Sequence, residues 1–196
     1  MEHKDYKTRT NSNDKLTLLI KFMKSPSQVG SVTPSSRFLA KKMLEPIDWG
    51  NVRSVAELGA GTGAFTKHIH ELKSPKCEVT VFEKDDEMRN QLFALYPDLK
   101  YFGDARKLSE EVQSIGVGTL DAVVSGLPFA LFKESDRERI IDEVIYSLKP
   151  NGIFITFQYS LQMKNLLTTK FSQVDISFVP LNIPPAFVYV CRRRIG

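Results

Sequence analysis

The sequence predicts an α/β fold: an open, mostly parallel sheet with helices on both faces, preceded by a helical extension. Three observations predict it. Short apolar runs of strand length alternate with helical runs through most of the chain, the pattern of successive βα units. A glycine-rich turn, Gly59 to Gly63, joins the first of those strands to the helix after it. Acids then recur at the ends of successive strands, at Glu57, Glu83 and Asp104. The length, 196 residues, suits one domain with a sizeable core.

The elements follow in order. Residues 1–13 are polar and expected to lack structure. In Asp14–Lys24, Leu16, Leu19, Ile20 and Met23 recur at helical spacing, with Lys15, Lys21 and Lys24 at the edges. Thr33 and Pro34 form a cap and first turn for a second helix that ends before Pro46. Residues 1–50 are thus expected to be a helical extension, and residues 51–196 the main domain. There, strand Ser54–Leu58 leads through the glycine turn to helix Ala64–Leu72, and strand Glu78–Glu83 to helix Asp86–Leu95. A short strand at Lys100–Phe102 precedes Gly103-Asp104, and strand Leu120–Ser125 ends in SGLPF. Helix Ser135–Leu148 closes on KPNG, a turn signal, before strand Ile153–Phe157. Two β-like stretches, Gln173–Val179 and Ala186–Arg192, end the chain. Right-handed crossovers stack such strands into one sheet, with ligands at their carboxyl ends.

Composition narrows the function. The formal charge is +4, a mild excess compatible with an anionic surface. Two cysteines far apart, Cys77 and Cys191, make neither a disulfide framework nor a zinc site, so no metal is expected and a reducing compartment is. Met1 to Asp14 does not read as a signal peptide, and no run approaches the ~18 apolar residues of a membrane span. The expectation is a cytoplasmic protein, at most peripheral at the inner face of a membrane.

The strongest motif is VAELGAGTG, Val55 to Gly63. Dinucleotide sites use G-x-G-x-x-G because a pyrophosphate sits on the helix N-terminus. Here Glu57 stands at the entrance, and a carboxylate suits a cationic ligand better. Glu83, about 20 residues past the glycines, is placed to accept hydrogen bonds from ribose hydroxyls. Asp104 can accept from an adenine amino group. Asp85 and Asp86 read as helix-capping or solvated. His68 and His70, two apart on a helix, share no face.

In this order ELGAGTG, FEKD, GDA, SGLPF and LKPNG resemble the motifs of class I methyltransferases that use S-adenosylmethionine (SAM), over about residues 52–160. The resemblance implies a Rossmann-like fold and SAM as cofactor. It implies contacts from Glu57, Gly59 and Gly61 to the methionine part, from Glu83 to ribose, and from Asp104 with the Ala105 backbone to adenine.

SGLPF, Ser125 to Phe129, sits where a methyl acceptor would lie. Its Leu-Pro-aromatic half is similar to the ribosomal adenine dimethylases. Its Ser-Gly start departs from them, and no residues are left for their RNA-binding domain, so nucleic acid is not the expected partner. KSPSQVGSVTPSSRFLAKKM, ELGAGTGAFT, SGLPF, FQYS and NIPPAFVYVCRR together resemble the bacterial soluble phospholipid N-methyltransferases, over nearly everything after residue 15. That resemblance implies phosphatidylethanolamine or a related phospholipid as acceptor and an anionic membrane surface as partner. Two alternatives stand beside it: an RNA adenine-N6 methyltransferase, and a non-catalytic SAM-binding adaptor. Oligomeric state is left open.

Roles at the acceptor follow from chemistry. Transfer to an amine requires alignment, exclusion of water and a neutral nucleophile. Tyr159 and the Ser125 hydroxyl are the candidate proton acceptors, and Phe129 and Tyr159 the candidate aromatic faces for a methylated cation. Arg37, early in a hydroxyl-rich helix, is either a phosphate ligand or an ordinary solvent-facing side chain. Asp14–Lys24 is either a lid over the cofactor or an interfacial anchor.

Overall fold

The central strands at Ser54–Leu58 and Leu120–Ser125 are buried almost throughout, as in a sheet covered on both faces, whereas Lys100–Phe102 and Gln173–Val179 are largely half-buried or exposed. The computed structural model describes residues 34–193, with side chains from Arg37. The Asp14–Lys24 helix, the Thr33 cap and the hydroxyls of Ser35 and Ser36 lie outside the described residues. The helices are α1 (Pro34–Leu44), α2 (Ala64–Leu72), α3 (Asp86–Leu95), α4 (Leu108–Ser114), α5 (Glu134–Ser147) and α6 (Lys164–Lys170). The strands are β1 (Ser54–Leu58), β2 (Glu78–Phe82), β3 (Lys100–Phe102), β4 (Leu120–Ser125), β5 (Leu148–Gln158), β6 (Gln173–Val179) and β7 (Ala186–Arg192).

They form one sheet in the order β3-β2-β1-β4-β5-β7-β6. β1 to β5 pair in parallel, and β7 is antiparallel to both β5 and β6. The strand order reverses between β1 and β4, which opens a crevice at their carboxyl ends. Leu58 and Ser125 are register partners there, and Phe82 and Phe102 end β2 and β3 at the same edge.

Alternation along β1 divides the core. Val55 belongs to one cluster with Leu39, Met43, Phe65, Ile69 and Leu92, from α1, α2 and α3. Ala56 and Leu58 belong to the other, with Leu108, Ile141 and Leu167 from α4, α5 and α6. The α1 residues are thus core residues of the domain, so the described part of the first fifty residues is integral to it.

Some boundaries differ from expectation. β5 begins at Leu148 and not Ile153: Leu148 pairs with Leu120 before the KPNG turn and Ile153 with Ala122 after it. The turn is a loop within the strand, with Asn151 at φ 65. The helix before it spans Glu134–Ser147, one residue earlier than expected. Glu83 lies just beyond β2. No helix among the described residues is long and apolar enough to cross a membrane.

Candidate active site

The glycine turn after β1 is pinned to its neighbour. The Gly59 and Ala60 N–H groups both donate to the Phe82 carbonyl, at 2.8 and 3.2 Å. Glu83 holds it from the side: one carboxylate oxygen accepts from Gly61 N–H at 2.6 Å and the other from Asp85 N–H at 2.9 Å. Each oxygen keeps a further lone pair for another donor. Arg89, which sequence reasoning missed, donates to the Glu83 carbonyl at 2.8 Å and pairs with Asp86. Its guanidinium lies 3.5 Å from where a Cβ on Gly103, just past β3, would stand.

The SGLPF turn presses on the glycine turn backbone to backbone. A Cβ on Gly126 would fall 2.9 Å from the Gly59 carbonyl oxygen. Gly59 has φ +73, and a Cβ there would meet the Leu127 side chain at 2.7 Å. Over Gly61, by contrast, nothing lies within 4 Å of such an atom. The crevice is closed beneath and open at Gly61.

Glu57 faces the same side as Val55, toward α2. Its carboxyl is wholly buried, and neither oxygen has a hydrogen-bond partner. Burial pushes it from an ordinary 4.5 up to about 7; nearby Thr66 opposes this, and Glu83 adds a little. Thr66 is itself buried with its hydroxyl unpartnered, so its proximity to Glu57 falls short of hydrogen-bond geometry. An orphaned carboxyl is costly, and a cation brought beside it removes that cost. SAM carries an α-ammonium and a sulfonium. A buried acid beneath an open glycine cradle, with a second acid 22 residues from Gly61 in sequence and hydrogen-bonded to it, fits that cofactor.

Asp104 is more committed. It accepts from the Arg106 amide at 2.9 Å and from the Arg106 guanidinium at 2.8 to 3.2 Å, and this pairing holds its carboxyl below the usual range. An adenine amino group would have to share or displace Arg106. Ala105 opens the short 3-10 turn that Asp104 caps.

The acceptor side corrects two expectations. Phe129 is wholly buried in the second core cluster, edge-to-face with Phe132, and presents no ring face to a ligand. The Ser125 hydroxyl is also buried and accepts the Leu127 N–H at 3.2 Å, so in this structure it shapes the SGLPF turn from within the core. Tyr159 differs. It is half-buried on the first face, edge-to-face with Phe157 at 5.6 Å, and Phe157 reaches Phe65 at 5.9 Å. The Phe65 ring is 3.7 Å from the Gly126 Cβ position, so an aromatic row runs from the glycine turn to Tyr159. Burial raises the Tyr159 phenol, which therefore stays protonated at neutral pH; Asn182 beside it opposes the rise. The buried Asn182 amide donates to the Pro184 carbonyl at 2.7 Å. Gln158 donates to the Leu127 carbonyl at 3.1 Å and fixes SGLPF from β5. Arg37 is exposed in the first turns of α1.

Thr66, Gln158 and Asn182, like Arg89, are polar residues that sequence reasoning missed. GAFT, FQYS and N-x-PPA contained these three as motif letters without a role.

Comparison with known proteins agrees with this geometry. A methyltransferase domain family matches residues 55–152. An ornithine lipid N-methyltransferase from Singulisphaera acidiphila is 36% identical over 190 residues, covering 91% of this chain and 96% of that protein. Among solved structures, the N-methyltransferase NodS from Bradyrhizobium japonicum superposes with a TM-score of 0.69 at 15% identity, over 83% of this chain and 98% of that one. The 1,6-didemethyltoxoflavin N1-methyltransferase of Burkholderia thailandensis, with S-adenosylhomocysteine bound, gives 0.68 at 14% identity, over 100% and 94%. At such identities the structures share the fold.

Proposed function

The chain belongs to the class I SAM-dependent methyltransferases, and from that premise we propose that it methylates the amine of a zwitterionic membrane lipid. The observation that carries this reading is the ornithine lipid N-methyltransferase, similar over nearly the whole of both chains. The ornithine headgroup and the ethanolamine headgroup each set a primary amine beside an anion, a carboxylate in one and a phosphodiester in the other. The relative favours the ornithine headgroup.

SAM supplies an electrophilic methyl group on a sulfonium. The rest is alignment and dehydration. Glu57 and the glycine turn take the methionine end, Glu83 the ribose, and Asp104 with the Ala105 backbone the adenine. Tyr159 stays protonated, so it is not the base. Its oxygen accepts from the incoming amine and its ring faces the methylated product. Desolvation beside the aromatic row lowers the ammonium pKa and favours the neutral amine that attacks. Arg37 pairs with the headgroup anion, a geometry suited to carboxylate and phosphate alike. The protein works peripherally, at the membrane surface.

The test is transfer of label from SAM to separate pools of ornithine lipid, phosphatidylethanolamine and structured RNA. Label in either lipid supports the reading, and the preferred pool names the headgroup. Label in RNA alone refutes it.

A further inference from the structure

Acids mark one half of the carboxyl edge of the sheet and are absent from the loops of the other. Over β1, β2 and β3 the edge carries Glu57, Glu83, Asp85, Asp86 and Asp104. Over β5, β6 and β7 its loops, residues 159–165 and 180–185, contain no acid. From Val144 to the end of the chain the one acid is Asp175, within β6. The acid-free half is apolar at its tips. Leu181 is 62% exposed and Ile183 70% exposed, in the turn between β6 and β7. Leu161 is 46% exposed in the loop after β5, and Phe38 49% exposed in α1. The two loops meet where Tyr159 approaches Asn182. The turn is a built feature: Asn182 is buried between its two exposed neighbours and bonded to Pro184. Arg37, early in α1, and Lys164, at the end of the loop after β5, are exposed.

Exposed apolar side chains scattered singly are ordinary; several gathered at one rim, without acids and with cations beside them, are not. We propose that this half of the rim is a membrane-docking surface, with Leu181 and Ile183 inserted at the acyl boundary of an anionic bilayer and Arg37 and Lys164 at its headgroups. The inference rests on the reading of the acceptor as a lipid amine. Charge complementarity selects the bilayer as occupant: these loops offer an anionic surface a cation and no acid. The tips adjoin Tyr159, so docking would bring a headgroup to the site while its acyl chains stay in the membrane.

The test compares the full chain with a Leu181→Asp, Ile183→Asp double variant in co-sedimentation with vesicles of phosphatidylglycerol and phosphatidylcholine. The expected result is vesicle binding weakened about tenfold or more in the variant, with SAM binding unchanged. Ile183→Cys carrying an environment-sensitive fluorophore should also shift to the blue on vesicles; Cys77 and Cys191 are buried and should escape labelling. Equal binding of variant and wild type with no spectral shift overturns the proposal, as does a wild type that binds no vesicles. A parallel assay with a short-chain, water-soluble amino lipid tests the acceptor reading separately. Methylation there without vesicle binding leaves that reading standing and removes the docking surface. Vesicle binding lost in the variant, with no methylation of any lipid by wild type, supports the surface and refutes the acceptor.

Discussion

Glu57→Gln isolates the one carboxyl among the described residues that the fold buries without a partner. Its carboxyl titrates at about 7 in the folded protein against 4.5 ordinarily. At about 1.4 kcal/mol per tenfold change in acidity, that is about 3 kcal/mol against the charged form. The sign follows from proton counting. Between pH 4.5 and 7 the unfolded chain has lost this proton and the native protein keeps it, so native stability falls as pH rises through that window and levels off above it. Glutamine cannot ionise. Urea unfolding of both proteins without SAM should therefore show the variant gaining on wild type by about 3 kcal/mol between pH 4.5 and pH 8. SAM binding mirrors this. Pairing a cation with Glu57 expels the proton, so wild-type affinity should rise by up to tenfold per pH unit below about 7 and fall again as the SAM α-amino group titrates near about 8. The variant should bind weakly and lose the rising limb. Parallel stability curves for the two proteins from pH 4.5 to 8 would refute the argument, because Glu57 would then ionise as an ordinary surface acid does.

Further outcomes follow from the same geometry. Glu83→Ala frees the Gly61 and Asp85 amides and removes a ribose acceptor, and should weaken SAM by about 1.5–3 kcal/mol in calorimetry. Gly126→Ala sets a Cβ against the Gly59 carbonyl, so turnover should collapse in a protein that still gives the circular dichroism of the wild type. Arg37→Ala should raise KM for lipid with SAM affinity intact, whereas Tyr159→Phe keeps the ring and should lower kcat; wild-type turnover in the latter would remove the hydroxyl from the reaction. Asp121→Ala leaves the Arg53 and Ser54 amides and the Lys149 ammonium without their shared carboxylate at the far edge of the sheet, and should cost about 1–3 kcal/mol in urea while SAM binding holds.

The layered fold was legible because its signals are local. Apolar strand runs, the glycine turn and the acids behind β1, β2 and β3 all fall within a few residues of the elements they mark. α4 and α6, at seven residues each, are too short for a helical period to stand out, and both escaped sequence reading. The cofactor side was legible for the same reason as the strands. The acceptor side was not, because it depends on which face of the sheet a loop folds over. Phe129 and Tyr159 are both aromatics just past a strand end, yet one enters the second core and the other the first face beside the glycine turn. Nothing in either local sequence decides between those outcomes. Nor does a sequence reveal that Ser125 will spend its hydroxyl on Leu127, or that Glu57 will find no partner at all.

The two halves of the carboxyl edge differ because they are built differently. Each parallel strand from β1 to β4 must hand the chain to a crossover, so that edge fills with polar turns and helix starts, the surroundings a charged cofactor needs. β6 and β7 are antiparallel, and their connection is a six-residue turn from Val179 to Ala186 at the same edge. It carries no crossover helix, and the buried Asn182 satisfies a backbone carbonyl within it, so its flanking side chains are free to be branched and apolar. Inserting one antiparallel strand between β5 and β6 therefore does more than finish the sheet. It sets a blunt apolar tip beside a row of acids, with Tyr159 at the junction, and an amine anchored in a membrane has to cross that junction to reach the methyl group.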